Sequence, residues 1–560
     1  MNYFLTYTFY VLILSVLMGV STWKLFKKMG YSPFFAFVPF YNYYLILKET
    51  DNPKWWAIMS YLPIVGPIMM SVFHIFLMNK FGKKSFTERL LTVILPFIYL
   101  AFVNYGKDAE VVNEKEEFLL PGEEQTEKKK DTFIGSITFA VVFATIIHTF
   151  ITQPFGIPTG SMERTLLVGD FLFVNKLNYG YRMPMRPLAI PFLQGTIFDT
   201  GEKGNPKDDP KSYAEAVKLP YFRFPGWEEV QKNDIVVFNY PQDSVHKAID
   251  RKDPYVKRCV AVGGDVIEFR AGKLFVNGKP EQILGDQEEQ HAFFVEAGSE
   301  IDIQDLYNKE GYISIIQLNT DSDYFRENIG EKYKINPSNT VYLMQLTDKR
   351  VQAVKALPQT VAVHEDIAEK DQPDIKYKDL AQTRIDTAKS IFPVNKPWNQ
   401  DWYGPLRIPK KGDVVAINKE TLPEYRWIIT EYEHNHLEDK NGKIYINGKE
   451  ARQYTVQQNY YMMIGDNRDA SLDARYFGFV PEENIVGKPM FTWMSLQGVF
   501  KDDMSSFQPD KKIRWERMFK ATNTGDPDKH SYWWLAAMIL VVFFGWEYLV
   551  KLFKKKDSEE

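Results

Sequence analysis

Uncharged runs at both ends of the chain, around a polar middle, constrain it more than any other feature. Residues 3–22 and 132–151 contain no Asp, Glu, Lys or Arg, and 532–550 contain one, Glu547. Each run is close to the ~20 residues that a helix needs to cross a bilayer core. The first has no basic residue ahead of it, and Lys24, Lys27 and Lys28 follow it. It therefore reads as a retained helix and not as a cleaved leader.

Residues 55–78 and 90–105 are two further apolar stretches. Pro63, Gly66 and Pro67 interrupt the first, so a re-entrant hairpin is an alternative to a straight span there. His74 within it reads as a packed or interfacial side chain. Lys128, Lys129 and Lys130 precede the 132–151 run, and a basic tail, 551–556, follows the last one. The preference of lysine for the cytoplasmic side puts both inside, which leaves 152–531 outside. The loop 79–89, with Lys80, Lys83, Lys84 and Arg89, fits this scheme poorly. An odd number of crossings before it would place it outside.

Composition narrows the function. The net charge of −4 offers no footprint for nucleic acid. The single cysteine, Cys259, can form neither an internal disulfide nor a paired-cysteine metal site, and it reads as a small buried apolar residue. The expected organisation is a multi-helix membrane domain of unassigned role (1–105), a charged cytoplasmic linker (106–131) and an anchor (132–151). A catalytic core follows in two parts, 152–270 and 456–500, around an inserted β-rich non-catalytic domain (271–455). A juxtamembrane segment (501–531), a transmembrane helix (532–550) and a basic cytoplasmic tail (551–560) complete it.

The middle carries strand signals. Asp234–Asn239, Val266–Phe269 and Lys273–Asn277 are rich in β-branched and aromatic residues and bounded by turn formers. Asn277-Gly278 and Asn447-Gly448 are tight-turn dipeptides. Gly272-Lys-Leu-Phe-Val-Asn-Gly-Lys279 echoes Gly442-Lys-Ile-Tyr-Ile-Asn-Gly-Lys449, and Asn233-Asp-Ile-Val-Val echoes Gly412-Asp-Val-Val-Ala. A duplicated β-unit or convergent hairpin chemistry would each produce this.

Three stretches could carry chemistry. None of the eight histidines lies in a Ser-His-Asp signature, and no serine sits in a Gly-x-Ser-x-Gly elbow. His434 and His436 form a pair in a polar loop without an evident third ligand. The first stretch, Pro154-Phe-Gly-Ile-Pro-Thr-Gly-Ser-Met162, puts Ser161 on a stiff turn just after an apolar run. The second, Asp253 to Asp265, puts Lys257 in a strand-like segment. A lysine base must be neutral, so its pKa of about 10.4 must fall by roughly 3 units, about 4 kcal/mol, which burial can supply. The third, Tyr461 to Pro481, is dense in Asp466, Asn467, Arg468, Asp469, Ser471, Asp473 and Arg475. Carboxylates and guanidinium groups at such spacing can fix a loop by bidentate pairing. Taken singly, each stretch has a structural explanation: a loop serine, exposed strand charges, a salt-bridged turn.

Together, Pro-Thr-Gly-Ser-Met, Val-Val-Phe-Asn-Tyr-Pro (236–241), Tyr-Val-Lys-Arg and Gly-Asp-Asn-Arg-Asp resemble the boxes of the bacterial type I signal peptidases, in that family's order, over 132–270 and 456–490. The resemblance implies a mainly β catalytic domain of coiled antiparallel sheets, of the kind shared with repressor proteases, with helical membrane segments before it and a transmembrane helix after it. It implies a serine endopeptidase that removes signal peptides from exported preproteins after small residues of Ala-x-Ala type. Ser161 would be the nucleophile and Lys257 the base. Thr159 and the Ser161 N–H would form the oxyanion hole, and Ser471 would orient the lysine. Arg258, Asp466, Asp473 and Arg475 would be structural supports, and Phe155, Ile157, Tyr255 and Val256 would line the substrate pocket. No metal or other cofactor is expected. The implied partners are secretory preproteins, membrane lipid and the translocation machinery. The implied location is the cytoplasmic membrane, multi-pass, with the catalytic domain outside.

The chain departs from the family pattern at Gly263, where proline is frequent, at Ala470, where asparagine is, and at Thr159, which replaces a serine and keeps its hydroxyl. The alternatives are a Ser/Lys membrane protease with other substrates, an inactive scaffold on a protease fold, or a cytoplasmic self-cleaving repressor. The membrane segments disfavour the last.

Overall fold

The computed structural model describes residues 2–107, 109–112, 141–198, 209–243, 248–284, 287–311, 313–372, 391–440, 442–501 and 505–522. The expected transmembrane helix 532–550, the basic tail, most of the charged linker and the first half of the 132–151 run lie outside these residues. The chain divides into two compact units: residues 1–153, 180–225 and 243–253, and residues 154–179, 226–242 and 254–560.

The first unit is helical. Helix α1 (Tyr3–Lys28) is capped by the Asn2 side chain and ends in Lys27 and Lys28. It is the one described helix long and apolar enough to cross a membrane. Helices α2 (Tyr41–Glu49), α3 (Val65–Lys80), α4 (Phe86–Ile94) and α5 (Pro96–Tyr105) follow, then α6 (Val141–Phe150). The 55–78 stretch is not one helix: residues 54–61 form a 3₁₀ segment and α3 starts only at Val65, after the proline. The 90–105 stretch likewise splits at Leu95-Pro96, because proline lacks the N–H that would continue α4. At 1.5 Å per residue, α4 and α5 are each about half a bilayer long.

Contacts at the two ends of α1 and α3 fix their directions. The Tyr3 hydroxyl donates to Pro184 O (3.5 Å), and Ile64 N–H, just ahead of α3, donates to Pro187 O (2.9 Å). At the other ends, Lys28 Nζ donates to Ala109 O (2.5 Å) and Val112 N–H to Lys80 O (2.9 Å). The two helices therefore run parallel, with their lysine-bearing ends together beside the start of the charged linker. Asn104 at the end of α5 accepts from Lys24 N–H and Leu25 N–H (2.9 and 3.1 Å), so α4 and α5 return to the end they started from.

The second unit is mainly β. Its principal sheet runs in the order β1 (Thr152–Gly156), β2 (Asp170–Asn175), β6 (Ile485–Gln497), β3 (Ile235–Asn239), β4 (Pro254–Ala261), β5 (Tyr460–Ile464), then Val480–Pro481. The pairs β2–β6, β6–β3, β3–β4 and β4–β5 are antiparallel. The central strands are buried on both faces and so read as unbroken apolar runs, Ile235-Val-Val-Phe and Tyr460-Tyr-Met-Met-Ile. Strand β2, between β1 and β6, alternates buried and half-buried residues. Phe238, Cys259, Phe269, Tyr403, Tyr460 and Met462 belong to one core, and Cys259 is fully buried, as its sequence context implies. Residues 512–513 and 520–521 pair with β6, so the sheet extends past residue 500, where the sequence reading ends the core.

The repeated sequence is a repeated hairpin. In 264–281, Asn277 Nδ2 donates to Asp265 (2.7 Å) and its Oδ1 accepts Val266 N–H (2.9 Å). In 434–451, Asn447 Nδ2 donates to Asn435 (2.8 Å) and its Oδ1 accepts His436 N–H (2.9 Å). Both turns need positive φ at Asn-Gly: 52° and 75° in one, 50° and 78° in the other. The upstream echo differs. Asn233-Asp234 pairs with Cys259, which precedes its hairpin, whereas Gly412-Asp413 pairs with Val456, which follows. The hairpin recurs, but the order of the larger unit does not.

Between the hairpins, β-strands His291–Ala297, Ile315–Gln317, Thr340–Leu346 and Thr360–Glu365 form a four-stranded sheet with its own apolar core.

Candidate active site

Strand β4 sits between β3 and β5, and its register puts Lys257 opposite Val236 and Arg258 opposite Ile235. Successive strand residues face opposite sides of a sheet, so these two neighbours serve different purposes. Lys257 is 4 % exposed and Ser161 9 %. Lys257 Nζ lies 2.6 Å from Ser161 Oγ and also donates to Val256 O (3.1 Å). The Tyr255 ring stands 5.5 Å from the same nitrogen. The family resemblance pairs these two side chains across 96 positions, and the fold brings them into contact.

Arg258 grips Asp466 in a bidentate pair, Nε to Oδ1 at 2.8 Å and Nη2 to Oδ2 at 2.6 Å. Thr165 donates a third hydrogen bond, 2.6 Å, to the same carboxylate. Burial alone would raise the Asp466 pKa; the Arg258 charge and these hydrogen bonds outweigh it and hold the group below the usual range. The carboxylate is thereby fixed next to Asn467, which clamps the serine turn. Asn467 N–H donates to Ser161 O (3.2 Å) and its side-chain amide to Gly160 O (3.1 Å). A second buried pair, Asp473 with Arg475 (2.9 and 2.8 Å), closes the loop, and Asp473 also accepts Gly465 N–H (3.3 Å).

Gly465 marks the tightest point. A Cβ there would stand 2.2 Å from Ser471 Oγ and 2.4 Å from Ser161 O. Ser471 is 1 % exposed and meets the serine turn across the Gly465 backbone.

The remaining expected residues divide. Ile157 is buried with Met162, Leu166 and Ile235, and Val256 packs against that cluster. Tyr255 instead stacks on Tyr240 (centroids 4.6 Å apart) and packs on the main core. Phe155, on β1, is half-buried and is not a member of the Ile157 cluster. Thr159, which caps the one-turn helix Gly160–Met162, is exposed.

Several supports were not singled out from sequence. Thr165 gave no signal of its own. The insertion also braces the site: Gln290 N–H donates to Asp466 O (3.0 Å), Arg468 N–H to Gln290 O (2.9 Å) and Ala292 N–H to Asp469 (2.7 Å). Ser314 donates to Glu163 (2.5 Å), two residues after Ser161. Such contacts join segments far apart in sequence, and no local pattern announces them.

A buried Ser–Lys contact, a loop that clamps the serine carbonyl and an exposed hydroxyl two residues before the serine together make a site suited to acyl transfer. A family model described as signal peptidase, peptidase S26, matches residues 131–344 and 402–494. A family of unknown function (DUF5684) matches residues 34–114. A signal peptidase I of Buchnera aphidicola is 25% identical over 400 residues, which cover 70% of this chain and 85% of that protein. The signal peptidase I of Haemophilus influenzae is 26% identical over 392 residues, 70% of this chain and 75% of the relative. That of Helicobacter pylori is 23% identical over 397 residues, 70% and 92% respectively.

Proposed function

The chain belongs to the signal peptidase family, peptidase S26, and from that premise we propose that it is a membrane-anchored serine endopeptidase that cleaves signal peptides from exported preproteins with a Ser161–Lys257 dyad. The observation that carries the mechanism is the 2.6 Å contact between Lys257 Nζ and Ser161 Oγ, both buried. Burial disfavours an ammonium and so favours the neutral amine that a base requires. The neutral amine takes the Ser161 proton as Oγ attacks the scissile carbonyl carbon. The carbonyl oxygen, now negative, receives hydrogen bonds from Ser161 N–H and the Thr159 hydroxyl. Lys257 then passes its proton to the leaving nitrogen, and the C–N bond breaks. A water attacks the acyl-serine, Lys257 takes its proton, and Ser161 leaves with that proton.

Ser471 is assigned to orient the lysine, and its place beside Gly465 and the Ser161 carbonyl supports that role. Arg258 with Asp466 and Asp473 with Arg475 hold the loop. Ile157 and Val256, in one apolar cluster with Met162 next to Ser161 in sequence, suit small side chains ahead of the cleaved bond, with Phe155 and Tyr255 at the margin. The site would work outside the cytoplasmic membrane, on preproteins delivered by the translocation machinery. In this reading α1 crosses the membrane and ends on the cytoplasmic side, and α3, which runs parallel to it, ends on that side too. That puts Lys80, Lys83, Lys84 and Arg89 inside and removes the conflict of the 79–89 loop.

The test is cleavage of a signal-peptide-bearing precursor by the purified full chain. Ser161→Ala and Lys257→Ala should each abolish it while thermal unfolding stays close to wild type. Full turnover by either variant would sink the dyad.

A further inference from the structure

The lysine-bearing end of α1 is built differently from an ordinary charged helix terminus. Trp23, Lys24, Lys27 and Lys28 line an open cleft of about 440 Å³. Trp23 Nε1 donates to the Tyr105 hydroxyl (3.1 Å), which ties the indole to α5. Lys24 Nζ lies 5.4 Å from the Trp23 ring centroid and 4.8 Å from that of Tyr105. Lys28 Nζ is held by Ala109 O (2.5 Å), and Lys27 is exposed. Among the described residues no carboxylate pairs with any of these three lysines. By contrast Lys83, at the same end of the unit, faces Glu88 at 3.8 Å.

An apolar stripe runs into this cleft. Leu5, Phe9, Leu12, Val16 and Val20 recur at helical spacing and are each between 46% and 54% exposed. Trp23 and Lys27 continue the same spacing, so one face of α1 passes from acyl-compatible side chains through an indole to ammonium groups. That order matches a phospholipid from chain ends to headgroup: hydrocarbon, interfacial region, phosphate. A soluble anion would use the cationic cleft but not the stripe.

We infer that this face of α1 binds an anionic phospholipid, with its phosphate among Lys24, Lys27 and Lys28 against Trp23 and its acyl chains along the Leu5–Val20 stripe. The inference rests on α1 crossing the membrane and not on the Ser161 chemistry. The site lies at the end of the helical unit that holds the start of the charged linker, opposite the end that meets Pro184 and Pro187.

The test uses the full-length protein in bilayer discs of phosphatidylcholine with added phosphatidylglycerol, released into the gas phase for counting of retained lipids. Wild type should retain phosphatidylglycerol over phosphatidylcholine by roughly tenfold or more, since each lysine near a phosphate adds to the preference. The triple variant Lys24→Gln, Lys27→Gln, Lys28→Gln should lose it. The triple variant Lys80→Gln, Lys83→Gln, Lys84→Gln should keep it, and so should Lys24→Arg, Lys27→Arg, Lys28→Arg. Precursor cleavage, which needs none of these lysines, reports that each variant is folded. Equal loss in the two glutamine triples would mean diffuse charge attraction and overturn the site. Displacement of the lipid by soluble glycerol phosphate would overturn the role of the stripe. Unchanged preference in the first triple would overturn both.

Discussion

Lys257 Nζ and Ser161 Oγ meet at 2.6 Å, and both residues are less than a tenth exposed. An arginine at 257 would keep a positive charge but cannot give up a proton at working pH. Lys257→Arg should therefore lose turnover by roughly 10²–10⁴-fold, the range supplied by general acid–base catalysis. In wild type, turnover should fall as pH drops, because a protonated amine cannot accept the serine proton. A precursor-cleavage profile over pH measures both, and a profile flat into strong acid would remove Lys257 from the role.

Gly465 packs so closely that even a methyl group would meet Ser471 Oγ at 2.2 Å and Ser161 O at 2.4 Å. The carbonyl belongs to the candidate nucleophile itself, so relief must move the serine turn or the loop. A displacement of about 1 Å can cost roughly 10²-fold in rate. Gly465→Ala is expected to lower kcat by that order, with a far smaller change in KM. Unchanged kcat would show that the turn relaxes without moving Ser161 Oγ.

Asp466 is fully buried and paired with Arg258, with the two groups 2.6 Å apart at their closest. Removing one member of such a pair strands the other charge and costs ~3–5 kcal/mol. Asp466→Asn should lose about that much in denaturant unfolding near neutral pH. The sign with pH follows from the depressed Asp466 pKa. Its stabilisation is full above the unfolded carboxylate value and drains away as pH falls through the folded one. The gap between variant and wild type should therefore narrow in strong acid; a gap constant over pH would mean that the carboxylate charge is not what stabilises.

Parts of this arrangement were legible in the sequence for plain reasons. Val236, Phe238 and Val256 are strand formers bounded by turns, and β3 and β4 appear where those residues stand. Asn277-Gly278 and Asn447-Gly448 had to be turns because few other dipeptides tolerate two positive φ values. Other parts depended on distant partners. Arg514 and Arg517 sit in a polar stretch with no periodicity, and their partner Asp170 is over 340 positions away. Hydropathy reads the 90–105 run straight through Pro96, because it counts apolar residues and ignores a missing N–H. Gln290 and Ser314 come from the insertion, whose sequence carries no chemical signature, yet their hydrogen bonds reach both halves of the site.

Asp401 lies 2 % exposed at the insertion's contact with the 465–475 loop. Burial, with the nearby Asp469 charge, pushes its pKa up to about 7. A raised carboxylate is protonated in the folded chain while the unfolded chain has already released its proton. Stability should therefore decline as pH rises from about 4 to about 7 and level off above that. Asp401→Asn keeps an acceptor for Ala368 N–H, which the aspartate now holds at 2.8 Å. The variant should match wild type near pH 5 and exceed it by ~1–3 kcal/mol at pH 8. Thermal unfolding at the two pH values decides, and a variant less stable at pH 8 would reverse the sign assigned to burial.

Asp170 on β2 ties the 512–522 segment to the sheet. It is fully buried and takes Arg517 at 2.6 Å, Arg514 at 3.4 Å and the Ser495 hydroxyl at 2.6 Å. Burial pulls its pKa up, and the two arginines with that hydroxyl more than reverse the shift. Its neighbour Gly169 leaves no room to rearrange, since a Cβ there would stand 2.0 Å from Leu496 O. Replacing both arginines, Arg514→Met with Arg517→Met, should leave a buried carboxylate unpaired and cost ~3–5 kcal/mol. Adding Asp170→Asn to that double variant removes the stranded charge and should restore a large part of the loss. Denaturant unfolding of wild type, the double variant, Asp170→Asn alone and the triple variant forms a cycle whose coupling should reach ~1–3 kcal/mol, as for residues in one buried network. Additive losses would mean that Asp170 is held by Ser495 and its own backbone, and that the 512–522 strands join the sheet without it.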